Sequence, residues 1–405
     1  MITPRAARKL IDKHSAVLEA VNVPVADALG RVLAEEVRSP MALPAFDNSA
    51  MDGFAVRAKD TVSATPERPV RLRIGKSVYA GDAPPRVLPR SAAHGIMTGA
   101  PLAAGADSVI AKEDVQSERG ELVITSPVRH GRHVRHRGEE IEKGVTVLRK
   151  GDWIHPGTVA CLATVGRRNV RVIRTPRVSI ITTGDEAVPA GMQLKKGQIY
   201  DSNSPMLSAM LEEMSIRPIR CMRIKDHYTA LFNAVGAALS ASDVLIVSGG
   251  VSVGDRDYVK LVLARHKVKE IFWRVRQKPG KPLYFGVRGK TLVFGLPGNP
   301  ASVFTCFYIY VYPALRRLSG FRVGELAARR GTMSTQVTPD PKKWRFLKAE
   351  SAGGTTVNPM KTQGSHMITS LPRTDSLIVV PPDAEGDRRE DYEVIDLPCS
   401  KERQR

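Results

Sequence analysis

The chain has 405 residues, 42% of them hydrophobic and 25% charged, and carries a formal net charge of +20. A chain this long outgrows one core, so two to four domains are expected. The positive field admits nucleic acid, acidic lipid or phosphorylated small molecules as partners, but an aromatic share of 5% argues against base-stacking surfaces, and no apolar stretch approaches the roughly 20 residues of a membrane span.

In chain order, residues 1–45 read as helical from Pro4 through ALGRVLAEEV, with Leu10, Val17 and Leu18 on a buried face, until Pro40 and Pro44 intervene. The first 21 residues lack the continuous apolar core of a signal peptide, so a cytoplasmic location is expected. Residues 46–128 change to short alternating runs such as VRLRI and ELVITSPV, punctuated by Gly, Pro and Asp, which predicts an inserted β-rich domain. A basic return strand, RHGRHVRHR (129–137), follows, and residues 129–176 are assigned with 1–45 to an N-terminal linking domain. Cys161, Cys221, Cys306 and Cys399 are far apart and are expected to be reduced thiols.

From 177 to 320 the rhythm alternates strictly. VSIITTG, PIRCMRI, DVLIVSGG and TLVFGL read as strands, and SPMLSAMLEEM, YTALFNAVGAALS and DYVKLVLARHK as the helices between them. That βαβ order predicts a largely parallel sheet covered on both faces, a three-layer α/β domain. NPASVFTCFYIYVYPALRRL is expected to be a buried helix, with Tyr308, Tyr310 and Tyr312 as packing groups. Residues 321–405 return to β runs and predict a small barrel or sandwich ending in the charged tail KERQR. The fold class is therefore multidomain α/β and β.

Ligands of parallel sheets bind beyond the carboxyl ends of the strands, and each predicted strand ends in polar text. The first yields Thr182, Thr183, Asp185 and Glu186, and the second Asp226. The third yields Ser248, Gly249, Gly250, Ser252, Gly254, Asp255 and Asp257, and the last Pro297, Asn299 and Ser302. The glycines let backbone N–H groups approach a phosphate closely. Asp185, Glu186, Asp226, Asp255 and Asp257 repel one another unless a cation sits among them, and oxygen-only donors beside phosphate favour Mg²⁺. The alternative for Asp226 and Asp255 is helix capping. Lys278 and Lys281, in the rigid KPGKP turn, are placed to face an oxyanion. GVRGKT (286–291) reads as a hairpin turn, not a phosphate loop. Outside the sheet domain, FDNSAMDGFAV (46–56) with TGAPLAAGAD (98–107) suggests a second binding surface. His130, His133 and His136 lack a fourth ligand at zinc spacing, and Arg135 and Arg137 are read as anion anchors.

Taken together, FDNSAMDGFAV, MTGAPLAAGAD, HRGEEI, TTGDE, GQIYDSNSPML, SGGVSVGDRDY, QKPGKP and GLPGNPAS closely resemble the MoeA and gephyrin E-domain family, the molybdopterin molybdenumtransferases, over nearly the whole chain. The resemblance implies a homodimer of four-domain subunits that takes adenylylated molybdopterin and molybdate, releases AMP in the presence of Mg²⁺ or another divalent cation, and yields the molybdenum cofactor. It carries function to Asp52, Thr98, Glu186, Asp226, Asp257, Lys278 and Lys281. The substrate-facing set implied here also includes Asp201, Asn203 and, for molybdate, Ser302 and Ser365. Implied partners are a second copy, the adenylyltransferase of the same pathway and acceptor molybdoenzymes, with no nucleic acid and no membrane. The chain departs from the family text at Glu140, His227 and QGSHMITS. Competing readings are a MogA-type adenylyltransferase, which the extra domains disfavour, and a gephyrin-like scaffold, which the intact acidic and lysine motifs disfavour. A nucleic-acid binder rests on charge alone.

Overall fold

The structure, a computed structural model, describes residues 1–251, 258–387 and 389–398. Ser252, Gly254, Asp255, Asp257 and Cys399 lie outside the described residues. Two compact units are present: residues 1–35, 150–159 and 169–405 form one, and residues 36–149 and 160–168 the other.

In the first unit six strands make one sheet: β1 (Val178–Thr183), β2 (Arg220–Ile224), β3 (Val244–Ser248), β4 (Lys269–Trp273), β5 (Tyr284–Arg288) and β6 (Thr291–Leu296), in the order β2-β1-β3-β6-β5-β4. β2, β1, β3 and β6 pair in parallel, and β5 is antiparallel to both its neighbours, so β5 alone is reversed. The strands are continuous apolar blocks because both faces are covered. Successive side chains serve different cores: Ile180, Val244, Ile246 and Phe294 enter one, and Ile181, Leu245, Val247 and Val293 the other. Helices α1 (Pro4–His14), α2 (Asn203–Glu212), α5 (Pro300–Cys306) and α6 (Tyr312–Leu318) pack into the first core; α3 (Tyr228–Ala241) and α4 (Val259–Arg265) cover the other face. Between α5 and α6 the chain takes a π-helical turn, Phe307–Val311, where Tyr308 and Tyr310 are buried, as is Tyr312 at the start of α6.

The helix expected to run into ALGRVLAEEV stops at His14. Gly30 sits at φ +80°, and the following backbone bonds outward: Leu33 N–H to Asp152 O and Ala34 N–H to Arg171 O, both 2.9 Å. The adjacent Val32 and Leu33 are both buried, which an extended segment covered on two sides allows and a surface helix does not. Val17, expected to be buried, is 47% exposed, and the inward face of α1 is Pro4, Ala7 and Ile11.

The C-terminal strands β7 (Ala328–Met333), β8 (Trp344–Ser351), β9 (Thr356–Pro359), β10 (Ser376–Val380) and β11 (Tyr392–Asp396) follow the order β8-β9-β7-β11-β10, and β10 pairs back onto β8. The sheet is thus a closed barrel rather than a sandwich. Leu347, Ile378, Val380 and Val394 fill its interior, while Phe346, Leu377, Val379 and Ile395 point outward into the core shared with α1 and α6.

The second unit holds a six-stranded sheet ordered Ser108–Ala111, Gly53–Val56, Ala92–Ile96, Val70–Ile74, Glu121–Ile124, Gln116–Glu118. VRLRI and ELVI pair antiparallel with Leu72 opposite Leu122, both buried. Among the described residues no helix is long and apolar enough to cross a membrane.

Candidate active site

Strand register places the polar strand ends together. Thr183 lies opposite Ile224, Thr182 opposite Ser248, and Ser248 opposite Leu296, so β1, β2, β3 and β6 end at one level. Trp273 at the end of β4 lies opposite Tyr284, which lies opposite Gly295. The turn holding Lys278 and Lys281 leads into Tyr284 and therefore reaches the same rim.

Asn203, at the start of α2, ties this rim together: its Nδ2–H donates to Ser248 Oγ (3.1 Å) and Gly298 O (2.7 Å), and the Ser248 hydroxyl donates to Pro297 O (3.1 Å). Asp201 accepts the N–H groups of Asn203 (3.0 Å) and Ser204 (3.1 Å), so its carboxylate satisfies the open end of α2. Among the described residues, two buried rim oxygens, Thr183 Oγ1 and Asn203 Oδ1, have no hydrogen-bond partner. Buried polar atoms are normally bonded, so this pair makes the rim a candidate ligand-facing position.

Asp185 and Glu186 follow β1 and are exposed; Asp226 follows β2 and is half-buried, its N–H donating to Asp185 Oδ1 (3.1 Å). Capping of α3 falls to His227, whose Nδ1 accepts from Ala230 N–H at 3.4 Å, not to Asp226. The departure from the family text at this position therefore retains a helix-starting acceptor. Among the described residues no three His, Cys, Asp or Glu form a group that could hold a metal ion, so Asp185, Glu186 and Asp226 do not make a three-ligand set by themselves.

Gly249 follows Ser248 at φ +93°, and an added Cβ would lie 2.7 Å from both Thr183 O and Thr183 Oγ1. Gly249→Ala is therefore expected to cost roughly 1–3 kcal/mol of strain and to push the backbone away from the orphaned Thr183 hydroxyl. Thermal melting together with weakened substrate binding checks this; unchanged binding would show that the close approach is not needed.

On the basic side, Lys278 and Lys281 are exposed on a turn with a cis Lys278–Pro279 bond. The turn rests on α5, since an added Cβ on Gly280 would lie 2.4 Å from Cys306 Sγ and 3.8 Å from Ser302 O. Ser302 is buried in the first turn of α5. Ser365 reaches the same place from the barrel unit's loop: its Oγ accepts from Asn299 Nδ2 (3.1 Å) and its carbonyl from Ala301 N–H (3.1 Å). Sequence reasoning missed Lys348 of β8, which is 1% exposed, donates Nζ–H to Met367 O (3.2 Å) in that loop, and has its pKa lowered by burial. The signal was available only as a lysine inside an otherwise apolar β run, WRFLKAES.

In the second unit the structure joins Asp52 to Thr98, 46 residues on: Asp52 Oδ1 accepts both the N–H and the hydroxyl of Thr98 at 2.8 Å. The backbone bond from Thr98, then its hydroxyl, hold the Asp52 carboxyl below its ordinary pKa. Asp52 is therefore an ionised acceptor around neutral pH.

These features define a multidomain α/β protein whose central sheet gathers polar and acidic strand ends and a two-lysine turn at its carboxyl rim. Residues 2–166 match the MoeA N-terminal region (domain I and II), 179–317 a probable molybdopterin binding domain, and 330–394 the MoeA C-terminal region (domain IV). The chain is 34% identical to the molybdopterin molybdenumtransferase of Haemophilus influenzae, covering 87% of this chain and 88% of that one. It is 30% identical to the protein of that name from Staphylococcus epidermidis, covering 95% and 93%. A crystal structure of the MoeA protein from Pyrococcus horikoshii superposes with a TM-score of 0.84 at 33% identity, covering 98% and 99%. The chain belongs to the MoeA family, and its relatives by name are enzymes of molybdenum cofactor biosynthesis.

Proposed function

We propose that the chain is a cytoplasmic molybdopterin molybdenumtransferase that binds adenylylated molybdopterin at the carboxyl rim, accepts molybdate at the Lys278–Lys281 turn, and releases AMP. The observation carrying this reading is the convergence of acidic loops, orphaned rim oxygens and a two-lysine turn at one sheet edge. The donors present, carboxylates and hydroxyls, suit a hard divalent cation such as Mg²⁺, which binds through one or two carboxylates plus substrate phosphates and needs no closed protein cage. Glu186 and Asp226, with Asp257, would hold it. When bound, it supplies neutralisation of the phosphate oxygens.

The chain's own groups do the rest. Backbone at Gly249 and Gly250 comes close to the phosphates, and Asn203 keeps the ends of β3 and β6 at a constant spacing. Lys278, Lys281, Ser302 and Ser365 orient the oxyanion beside the dithiolene. Positioning and charge neutralisation carry such a reaction without a covalent enzyme intermediate. A homodimer, and exchange with the adenylyltransferase and acceptor molybdoenzymes, belong to the same reading.

The experiment is AMP release from adenylylated molybdopterin, with molybdate and Mg²⁺ each added or withheld. Release that requires both supports the reading. ATP-dependent adenylylation of molybdopterin by this protein alone would replace it with an adenylyltransferase.

A further inference from the structure

Beneath the two-lysine turn lies a polar cluster that the proposed mechanism leaves unused. Gln277 is 1% exposed, Tyr310 1% and Cys306 0%. An amide in such surroundings must find its partners within the protein. Gln277 Nε2–H donates to Pro279 O at 3.0 Å and to Gly280 O at 3.4 Å, with Cys306 Sγ at 3.6 Å, and its Oε1 accepts the Tyr310 hydroxyl. Burial pushes the Tyr310 hydroxyl well above its ordinary pKa, so it stays a donor, and lifts the Cys306 thiol to about 12. Tyr310 comes from the π-helical turn Phe307–Val311, a rare geometry that often occurs at functional positions. The carbonyls Gln277 holds belong to two of the three peptide planes between Lys278 and Lys281.

We propose that Gln277, oriented by Tyr310, is a positioning residue for molybdate binding: by holding the Pro279 and Gly280 carbonyls down against α5 it sets the direction in which Lys278 and Lys281 leave the turn. This rests on the reading of that turn as the oxyanion site. Lysine ammonium groups are point charges on long flexible stems, so two of them converge on one anion only if their backbone is held. A core residue that merely filled space would be apolar here. The glutamine instead places both ends of its amide on groups that report turn geometry.

The test is molybdate binding to the full-length protein by calorimetry, with thermal melting measured in parallel, for the wild type, K281A, Q277M, Y310F and Q277M/Y310F. Outer partners of metal-ligating groups are worth about 10–100-fold in affinity, and the lower end of that scale is taken for the partner of an oxyanion-binding turn. Q277M is therefore expected to bind molybdate about tenfold more weakly and to melt lower, because the Tyr310 hydroxyl loses its acceptor. Removing both partners relieves the Tyr310 hydroxyl but not the Pro279 and Gly280 carbonyls, so Q277M/Y310F should recover part of the melting temperature lost in Q277M while its molybdate affinity stays about tenfold down. Affinity that recovers with stability, or that never changes, overturns the proposal. K281A separates the two readings: if it leaves molybdate binding intact, the turn is not the oxyanion site and the proposal falls with it. If K281A weakens binding while the double variant does not, only the role of Gln277 is lost.

Discussion

Glu186→Gln combined with Asp226→Asn is expected to lower AMP release from adenylylated molybdopterin by roughly 10²–10³-fold, the scale seen when a preorganised electrostatic contact is removed. Both substitutions keep side-chain volume and leave untouched the Asp226 N–H bond to Asp185 that shapes the loop after β2. The loss should therefore fall on kcat, with melting temperature changed little, since neither group is in a core. Steady-state AMP formation, with circular dichroism as the fold control, reads the result. Near-wild-type turnover would mean that the acidic ends of β1 and β2 face solvent and not the scissile phosphoanhydride.

Asp243→Ala is expected to produce the largest loss of stability. Asp243 stands just before β3, at the edge of the sheet opposite the rim, and is 8% exposed. Arg174 Nη2–H donates to its Oδ1 at 2.8 Å, and the Arg177 N–H donates to its Oδ2 at 2.8 Å. Burial pushes the carboxyl up, but the bonds from Arg174 and Arg177 outweigh it and hold the pKa at about 2 against an ordinary 3.8. Removing the carboxylate leaves Arg174 partly buried without its main partner, a loss of roughly 3 kcal/mol. The sign in pH follows from the depressed value. The contribution, roughly 2 kcal/mol by linkage, is fully present above about pH 4 and disappears as pH falls toward 2. Chemical denaturation of the wild type and Asp243→Asn should therefore converge in that acid window. A stability difference that stays constant from pH 6 to 2 would assign the effect to packing instead.

The central domain was legible because its strands are uninterrupted apolar blocks closed by Gly, Pro and polar residues, a pattern that survives tertiary context. The rim followed, since parallel topology alone brings the ends of β1, β2, β3 and β6 together, and GVRGKT does form the β5–β6 hairpin. Ala28–Val37 was misread because its composition is helical while its hydrogen-bond partners, Asp152 and Arg171, lie more than a hundred residues away. His227 as a helix cap, Lys348 under the Ser365 loop and Gln277 under the lysine turn were invisible for a related reason. Each is a polar residue whose role is set by what folds over it, and local spacing carries no record of that.

The reversal of β5 has a consequence for charge placement. Had that strand run with the other five, its approach would start at the far edge of the sheet, one strand length away, about 17 Å for five residues. That exceeds the screening distance of about 8 Å at physiological ionic strength, so lysines there would exert almost no pull on an anion among the acidic loops. One antiparallel turn of the chain thus decides whether the lysines and the acidic loops can act on the one molecule proposed to bind there.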